Sequence, residues 1–218
     1  MTLAVPALIG ADGKYRVHIV GNSGKLAKRF TGFLNVFFST QSTTGRKLAE
    51  ILGVPFISLD TLHWNPGWKA STGPEFHEKV QNALNAAPEG WVVDGNYSSK
   101  LGDLVDTNAT DRIWLDPPLL QYLPRIILRT LRRLLRLGEP CSPGCNERFT
   151  EVFFSRDSII WWCITHHSVV RKRETLNFAK MGLGVGSDLT GRKMRRIGGW
   201  GKELEQWLGA VRHLVRSK

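Results

Sequence analysis

The sequence has few cysteines and no long apolar run. Three cysteines among 218 residues do not make the disulfide framework of a secreted domain, so we expect a reducing compartment, the cytoplasm. No apolar run approaches the roughly 20 residues that a membrane-spanning helix needs. The apolar residues 1–10 lack the basic stretch that opens a signal peptide, and we interpret them as a short extension. These shortages argue against a membrane protein and a disulfide-rich secreted domain.

Apolar residues and positive charge are abundant. An apolar fraction of 42% with eight tryptophans is typical of a globular protein, and this length suits a single domain, 1–218. Residues 121–218 hold 19 Lys and Arg against 8 Asp and Glu, whereas residues 1–120 hold 11 of each, so the C-terminal part carries the whole net charge of +11. Such an imbalance predicts a polyanion site, for nucleotide phosphates or for nucleic acid.

Strand-like and helix-like patterns alternate along the chain. Four segments rich in apolar and β-branched residues predict strands: 15–20, 55–59, 91–94 and 112–115. Apolar spacing predicts helices at 43–52 and 74–87, and a last strand at 193–197 precedes a closing helix at 202–215. Alternation of this kind produces a parallel sheet with right-handed crossovers. The sequence therefore predicts an α/β fold, a parallel sheet flanked by helices with strand 15–20 in the centre.

The chain becomes helical and basic beyond residue 118. Five arginines share one face of a predicted helix: Arg125, Arg129, Arg132, Arg133 and Arg136. Apolar residues occupy the opposite face, and a second long helix is expected at 148–167. A run of charge is usually a solvated helix face, but five arginines without an intervening acid indicate contact with an anion.

Four motifs follow one another in a recognisable order. They are Gly21-Asn22-Ser23-Gly24 after the first strand, Leu59-Asp60-Thr61-Leu62-His63-Trp64, Trp91-Val92-Val93-Asp94-Gly95-Asn96-Tyr97-Ser98, and the arginine run followed by Phe153-Phe154-Ser155-Arg156-Asp157. Together they resemble the adenylate-kinase-like P-loop proteins known in bacteria as DNA topology modulation proteins, over roughly residues 15–170. The resemblance implies a P-loop kinase-like fold, ATP and Mg²⁺ as donor, and a small hydroxyl compound or a nucleotide as acceptor.

The resemblance also implies roles for individual residues. The phosphate-binding loop comprises two short stretches, Gly21-Asn22-Ser23-Gly24-Lys25 and Ser42-Thr43, whose backbone N–H groups would surround the phosphates. Ser42 and Asp94 would hold Mg²⁺. Asp60 would orient the acceptor hydroxyl, with His63 nearby. Alternatively, both Asp residues have only a structural role in a turn or as a helix cap, which is common for Asp after a strand.

The arginine run resembles a lid that closes over the transferred phosphoryl group. We expect residues 119–175 to form this basic helical lid. Arg129, Arg132 and Arg133 are its candidate catalytic residues, because guanidinium groups stabilise charge on the phosphoryl oxygens.

The phosphate-binding loop is interrupted. The family pattern reads Gly-x-x-Gly-x-Gly-Lys-Ser-Thr, but here Lys25 follows Gly24 directly and the Ser-Thr pair comes only at Ser42-Thr43. We interpret residues 26–41 as an insertion, and even their removal leaves the motif two residues short. Either the segment is unspliced or misassigned coding sequence, since both flanks match the family in frame, or the protein has lost nucleotide binding.

Two other functions compete with a kinase. The basic C-terminal half is compatible with a nucleic-acid-binding protein, although the sequence has no helix-turn-helix, zinc-finger or RNP signature. A catalytically inactive scaffold is the other alternative. The pattern gives no indication of the oligomeric state.

Overall fold

The computed structural model describes residues 6–10, 13–21, 40–67, 69–134 and 159–217. Its strands are, in chain order, β1 (Arg16–Gly21), β2 (Phe56–Ser58), β3 (Trp64–Asn65), β4 (Lys69–Ala70), β5 (Trp91–Asp94), β6 (Asp111–Asp116) and β7 (Met194–Gly198). Its helices are α1 (Thr40–Leu52), α2 (Leu59–His63), α3 (Gly73–Asn85), α4 (Ser98–Leu101), α5 (Leu104–Asn108), α6 (Leu119–Leu134), α7 (Ile159–Met181) and α8 (Lys202–Arg216).

Five strands form one sheet in the order β2-β5-β1-β6-β7, and every neighbouring pair in it is parallel. The central strand is β1, which pairs with β5 on one side and β6 on the other. The short strands β3 and β4 form a separate antiparallel hairpin. The structure thus confirms the predicted α/β fold, including the central place of the first strand and the strand expected at 193–197.

One face of the sheet packs against α1 and α8. Successive side chains of a strand point to opposite faces, so Val17 and Ile19 of β1 are buried on this side. They join Leu48 from α1 and Leu208 and Val211 from α8 in one apolar cluster. Full burial of one such side chain contributes about 1.5–3 kcal/mol, which holds both helices on the sheet.

The opposite face is covered by α3 near one edge and by α7 near the other. Phe76 and Val80 of α3 belong to the cluster that buries Trp91 of β5. Phe178 of α7 lies with its ring centroid 6.3 Å from that of Trp114 on β6. Between these helices, the same face also carries two buried polar side chains, His18 of β1 and Arg112 of β6.

Two predicted helix boundaries differ from the structure by three residues or more. Helix α1 begins at Thr40, so the last two residues of the predicted insertion 26–41 are helical, while 26–39 lie outside the described residues. Helix α7 continues to Met181, 14 residues beyond the predicted end at 167. The basic run at 171–173 does not end the helix, because the next residue, Glu174, is buried and pairs with Arg112 of β6.

The predicted lid, residues 119–175, is described only in part. Its first portion is α6 and its last portion is the beginning of α7, whereas residues 135–158 lie outside the described part of the chain. None of the described helices combines the length and the apolar character that a membrane crossing requires.

Candidate active site at the carboxyl edge of the sheet

The carboxyl ends of the three middle strands meet at one edge of the sheet. β1 ends at Gly21, β5 at Asp94 and β6 at Asp116. The chain leaves β1 toward β2 and β5 on one side and later reaches β6 on the other. Ligands of open parallel sheets bind in the crevice at such a change of direction. The predicted site residues at the ends of β1 and β5 therefore lie where the fold favours binding.

Ser42 and Asp94 are in direct contact at this edge. Ser42, in the first turn of α1, donates a hydrogen bond from its hydroxyl to the Asp94 carboxylate, and both residues are buried. They are 52 positions apart in the sequence. The first N–H groups of a helix have no partner within the helix and favour anions. A hydroxyl, a carboxylate and the first turn of a helix thus converge at this edge of the sheet.

The oxygens of this pair suit Mg²⁺. Magnesium prefers hard oxygen ligands and usually takes only one or two from the protein, with water and substrate phosphates supplying the others. Ser42 and Asp94 provide that number. Among the residues that the structure describes, no group of three or more His, Cys, Asp or Glu side chains is arranged to hold a metal ion by itself.

The other predicted residues of the phosphate-binding loop and the lid fall into three groups. Gly21 is the buried last residue of β1 and pairs with Leu115, and Thr43 follows Ser42 in α1. The remaining predicted loop residues lie outside the described ranges: Asn22, Ser23, Gly24 and Lys25. The backbone of α6 includes Arg129, Arg132 and Arg133, but their side chains are not among those described.

A cavity of about 430 Å³ opens beside the first turns of α1. Helix α6 contributes Gln121 and Arg125 to its wall, α1 contributes Thr43 and Lys47, and the turn before α8 contributes Trp200. Trp200 is 68% exposed. The sequence analysis missed these side chains, apart from Thr43 and Arg125. The Gly-Gly-Trp-Gly run at 198–201, directly after the last strand, was the one available signal for a turn at this edge.

A second group of side chains surrounds Asp60 and His63. The Tyr97 hydroxyl donates a hydrogen bond to Asp60 over 2.6 Å, and Lys100 Nζ lies 2.8 Å from His63 Nε2. Burial lowers the pKa of Lys100. The ring of His63 lies between 4.8 and 5.1 Å from those of three aromatic residues, Trp64, Phe76 and Tyr97. The structure therefore places the predicted acceptor residues within one aromatic cluster.

The solved structures that resemble this chain include two distant likenesses. A shikimate kinase from Bacteroides thetaiotaomicron shares 13% identity, with coverage of 93% of this chain and 97% of that chain and a TM-score of 0.46. An uncharacterized protein from Eubacterium ventriosum also shares 13% identity, with coverage of 94% and 100% and a TM-score of 0.37. No protein-family model matches the chain, and no curated protein matches it. The functional assignment therefore depends on the side chains of the chain itself.

The turn after Asp94 can be tested with one substitution. Gly95 has a φ of +133°, and an added Cβ would lie 2.9 Å from the Cβ of Leu59. Gly95→Ala should therefore lower the free energy of unfolding by about 2 kcal/mol or more, through backbone strain and crowding together. Gly53→Ala is the matched control, because Gly53 has a φ of +68° with no atom within 4 Å of the added Cβ, and should cost about 1 kcal/mol. Urea unfolding of both variants compares them, and equal losses would contradict a crowded turn.

Proposed function

We propose that the protein is a P-loop phosphotransferase that transfers the terminal phosphoryl group of ATP to a small hydroxyl compound or a nucleotide. The observation that carries this proposal is the contact between the Ser42 hydroxyl and the Asp94 carboxylate. In P-loop enzymes, a Ser or Thr of the phosphate loop and an acidic residue after a neighbouring strand hold Mg²⁺. The order of the four sequence motifs supports the same assignment.

The residues of the site would act by positioning and by charge. Bound Mg²⁺ would neutralise charge on the terminal phosphates of ATP. The first N–H groups of α1 would hold phosphate oxygens, and Ser42 and Asp94 would hold the metal. Asp60, which Tyr97 fixes in orientation, would accept a hydrogen bond from the acceptor hydroxyl and so aim it at the phosphorus.

The cavity beside α1 is the place that we propose for the nucleoside of the donor. An exposed Trp200 ring is suited to stacking on a base. The buried Oε1 of Gln121 has no hydrogen-bond partner in the described part of the chain, and it could accept from an amino group such as that of adenine. Lys47 and Arg125 add positive charge to the wall.

The interrupted loop yields a prediction about ATP. Phosphate binding requires successive N–H groups to converge within one tight turn, and residues 26–41 separate the two parts of that turn. We expect the unmodified chain to bind ATP weakly or not at all. Replacing residues 25–41 by Ser-Gly-Lys restores the family spacing and should restore binding that depends on Mg²⁺. Calorimetric titration of both proteins measures this.

Asp94→Asn in the shortened protein is the control. It should abolish the dependence on Mg²⁺, because the amide replaces the carboxylate ligand. Micromolar ATP binding by the unmodified chain would show that the insertion leaves the loop intact. If neither protein binds ATP, the proposal of a nucleotide-dependent kinase loses its basis.

The lid arginines yield a prediction about turnover. Replacing Arg132 and Arg133 by Ala in the shortened protein should raise the activation barrier by about 2–4 kcal/mol for each guanidinium that no longer binds the transferred phosphoryl group. Stability should change little, because a run of charge is expected to be a solvated helix face in the absence of a bound anion. Arg212→Ala with Arg216→Ala, two exposed arginines of α8, is the matched control. Steady-state kinetics with ATP and an accepted hydroxyl compound measures kcat. An unchanged kcat would show that the arginine run does not contact the transferred phosphoryl group and is a solvated helix face.

A basic groove favours nucleic-acid binding as the second candidate function. The groove, of about 500 Å³, is lined on one side by His167, Arg171 and Lys172 of α7 and on the other by Arg196 of β7. The charge of Arg171 and Arg196 is partly compensated by Asp116, which both contact. A phosphate backbone would complement the positive charge that remains.

Salt dependence distinguishes this candidate from the kinase. If the groove binds nucleic acid, the logarithm of the affinity for a DNA duplex should fall by about one unit per phosphate contact for each tenfold rise in salt. Arg171→Gln with Lys172→Gln should make this slope shallower, whereas Arg212→Gln with Arg216→Gln should not. Fluorescence anisotropy at several salt concentrations measures the slope. An identical slope in all three proteins would show that nucleic acid does not bind in the groove.

A further inference from the structure

Ionisable side chains cross the face of the sheet that α3 and α7 cover. His18 of β1 and Arg112 of β6 are adjacent in the sheet and only 6% and 3% exposed. Arg112 contacts Asp106 of α5 and, over 2.9 Å, Glu174 of α7. His18 Nδ1 lies 2.6 Å from Asp106 Oδ1. Buried charges of this kind persist only where each has partners, and this network supplies them.

His18 has a second partner outside this network of charges. Its Nε2 lies 2.8 Å from the carbonyl oxygen of Gly95, which can only accept a hydrogen bond. Asp106 also accepts: burial opposes its ionisation, but His18 and Arg112 outweigh burial and hold its pKa below the usual range. The Nε2 of His18 therefore donates to the Gly95 carbonyl, and its Nδ1 faces the Asp106 carboxylate.

The carbonyl that His18 holds belongs to the turn directly after Asp94. Gly95 also donates its N–H to the Ile19 carbonyl over 3.3 Å. The next residue, Asn96, donates its side-chain amide to Glu174 over 3.2 Å. The turn is thus attached to β1 at two points and to α7 at a third, and its conformation at Gly95 is one that other residues rarely adopt.

We propose that His18 is a positioning residue which, by holding the Gly95 carbonyl, keeps the Asp94 carboxylate against the Ser42 hydroxyl. Glu174 is the second positioning residue, because it holds Asn96 from α7. The significance of this role for catalysis rests on the proposed function, because Asp94 holds a metal only if the protein is a phosphotransferase of the proposed kind. One consequence is that α7 is connected to the proposed metal site.

Two isosteric substitutions separate the contact with Gly95 from the contact with Asp106. The amide nitrogen of glutamine reaches about as far as imidazole Nε2, and that of asparagine about as far as Nδ1. His18→Gln therefore retains the donor to Gly95 and loses the one to Asp106, whereas His18→Asn does the reverse. A residue with only a structural role would show the larger defect when the contact with Asp106 is removed, which is in His18→Gln.

Amide hydrogen exchange of Gly95, followed by NMR on the full unmodified chain, is the measurement. We expect exchange to be about tenfold faster in His18→Asn, the effect of removing one hydrogen bond of ordinary strength. In His18→Gln it should stay within about threefold of the parent protein. Amides of α8, such as that of Val211, serve as the internal control. Equal acceleration in both variants, or a larger one in His18→Gln, would overturn the proposal.

A second variant covers the case in which His18→Asn does not fold. Asn96→Ala removes the attachment of the turn to Glu174 and leaves His18 in place. It should accelerate exchange of Gly95 by about tenfold, and an unchanged rate would overturn the proposal. ATP titration of the shortened protein, in which Ser-Gly-Lys replaces residues 25–41, with Mg²⁺ and with EDTA, is the separate readout of the proposed function. If the exchange rates are as expected but the shortened protein does not bind ATP, His18 still positions the turn and the proposal of a kinase is wrong.

Discussion

A guanidinium group inside the sheet determines much of this structure. Arg112 is the second residue of β6 and almost inaccessible to solvent, and removing one partner of such a buried charge typically destabilises a protein by about 3–5 kcal/mol. Its two carboxylate partners come from α5 and α7. Both helices must therefore return to this face of the sheet. The extension of α7 beyond its basic run, and the attachment of the turn after β5, follow from that requirement.

The fold could be predicted because its signals are local. Each predicted strand is a short apolar segment between turn residues, and such a segment can be recognised from the sequence without knowledge of its tertiary contacts. The course of α7 could not be predicted in the same way. Arg171, Lys172 and Arg173 suggest the end of a helix, and only the pairing of Glu174 with Arg112, 62 positions away, explains why the helix continues.

The residues of the candidate site also differ in whether a local sequence pattern indicates them. Ser42, Asp94 and Asp60 belong to motifs with a fixed relation to strand ends, so the sequence indicated them, and the structure brings Ser42 and Asp94 together. Gln121 and Trp200 belong to no motif. They meet Thr43 in one cavity only because the starts of α1, α6 and α8 lie at the same edge of the sheet. The role of His18 was equally hidden, since an alternating strand gives no sign that a polar residue facing inward has found partners.

The insertion affects stability and function to different degrees. Gly21 is fixed by its pairing with Leu115 and Ser42 by its contact with Asp94, so both ends of the loop are anchored on the sheet. Lengthening the connection between them from about 6 to about 20 residues costs only about 1 kcal/mol in loop-closure entropy. A phosphate group, by contrast, needs several N–H groups directed at one point, and a longer chain between the same anchors makes that convergence less frequent. A fold that accepts the insertion at little cost in stability is therefore compatible with a weakened phosphate site.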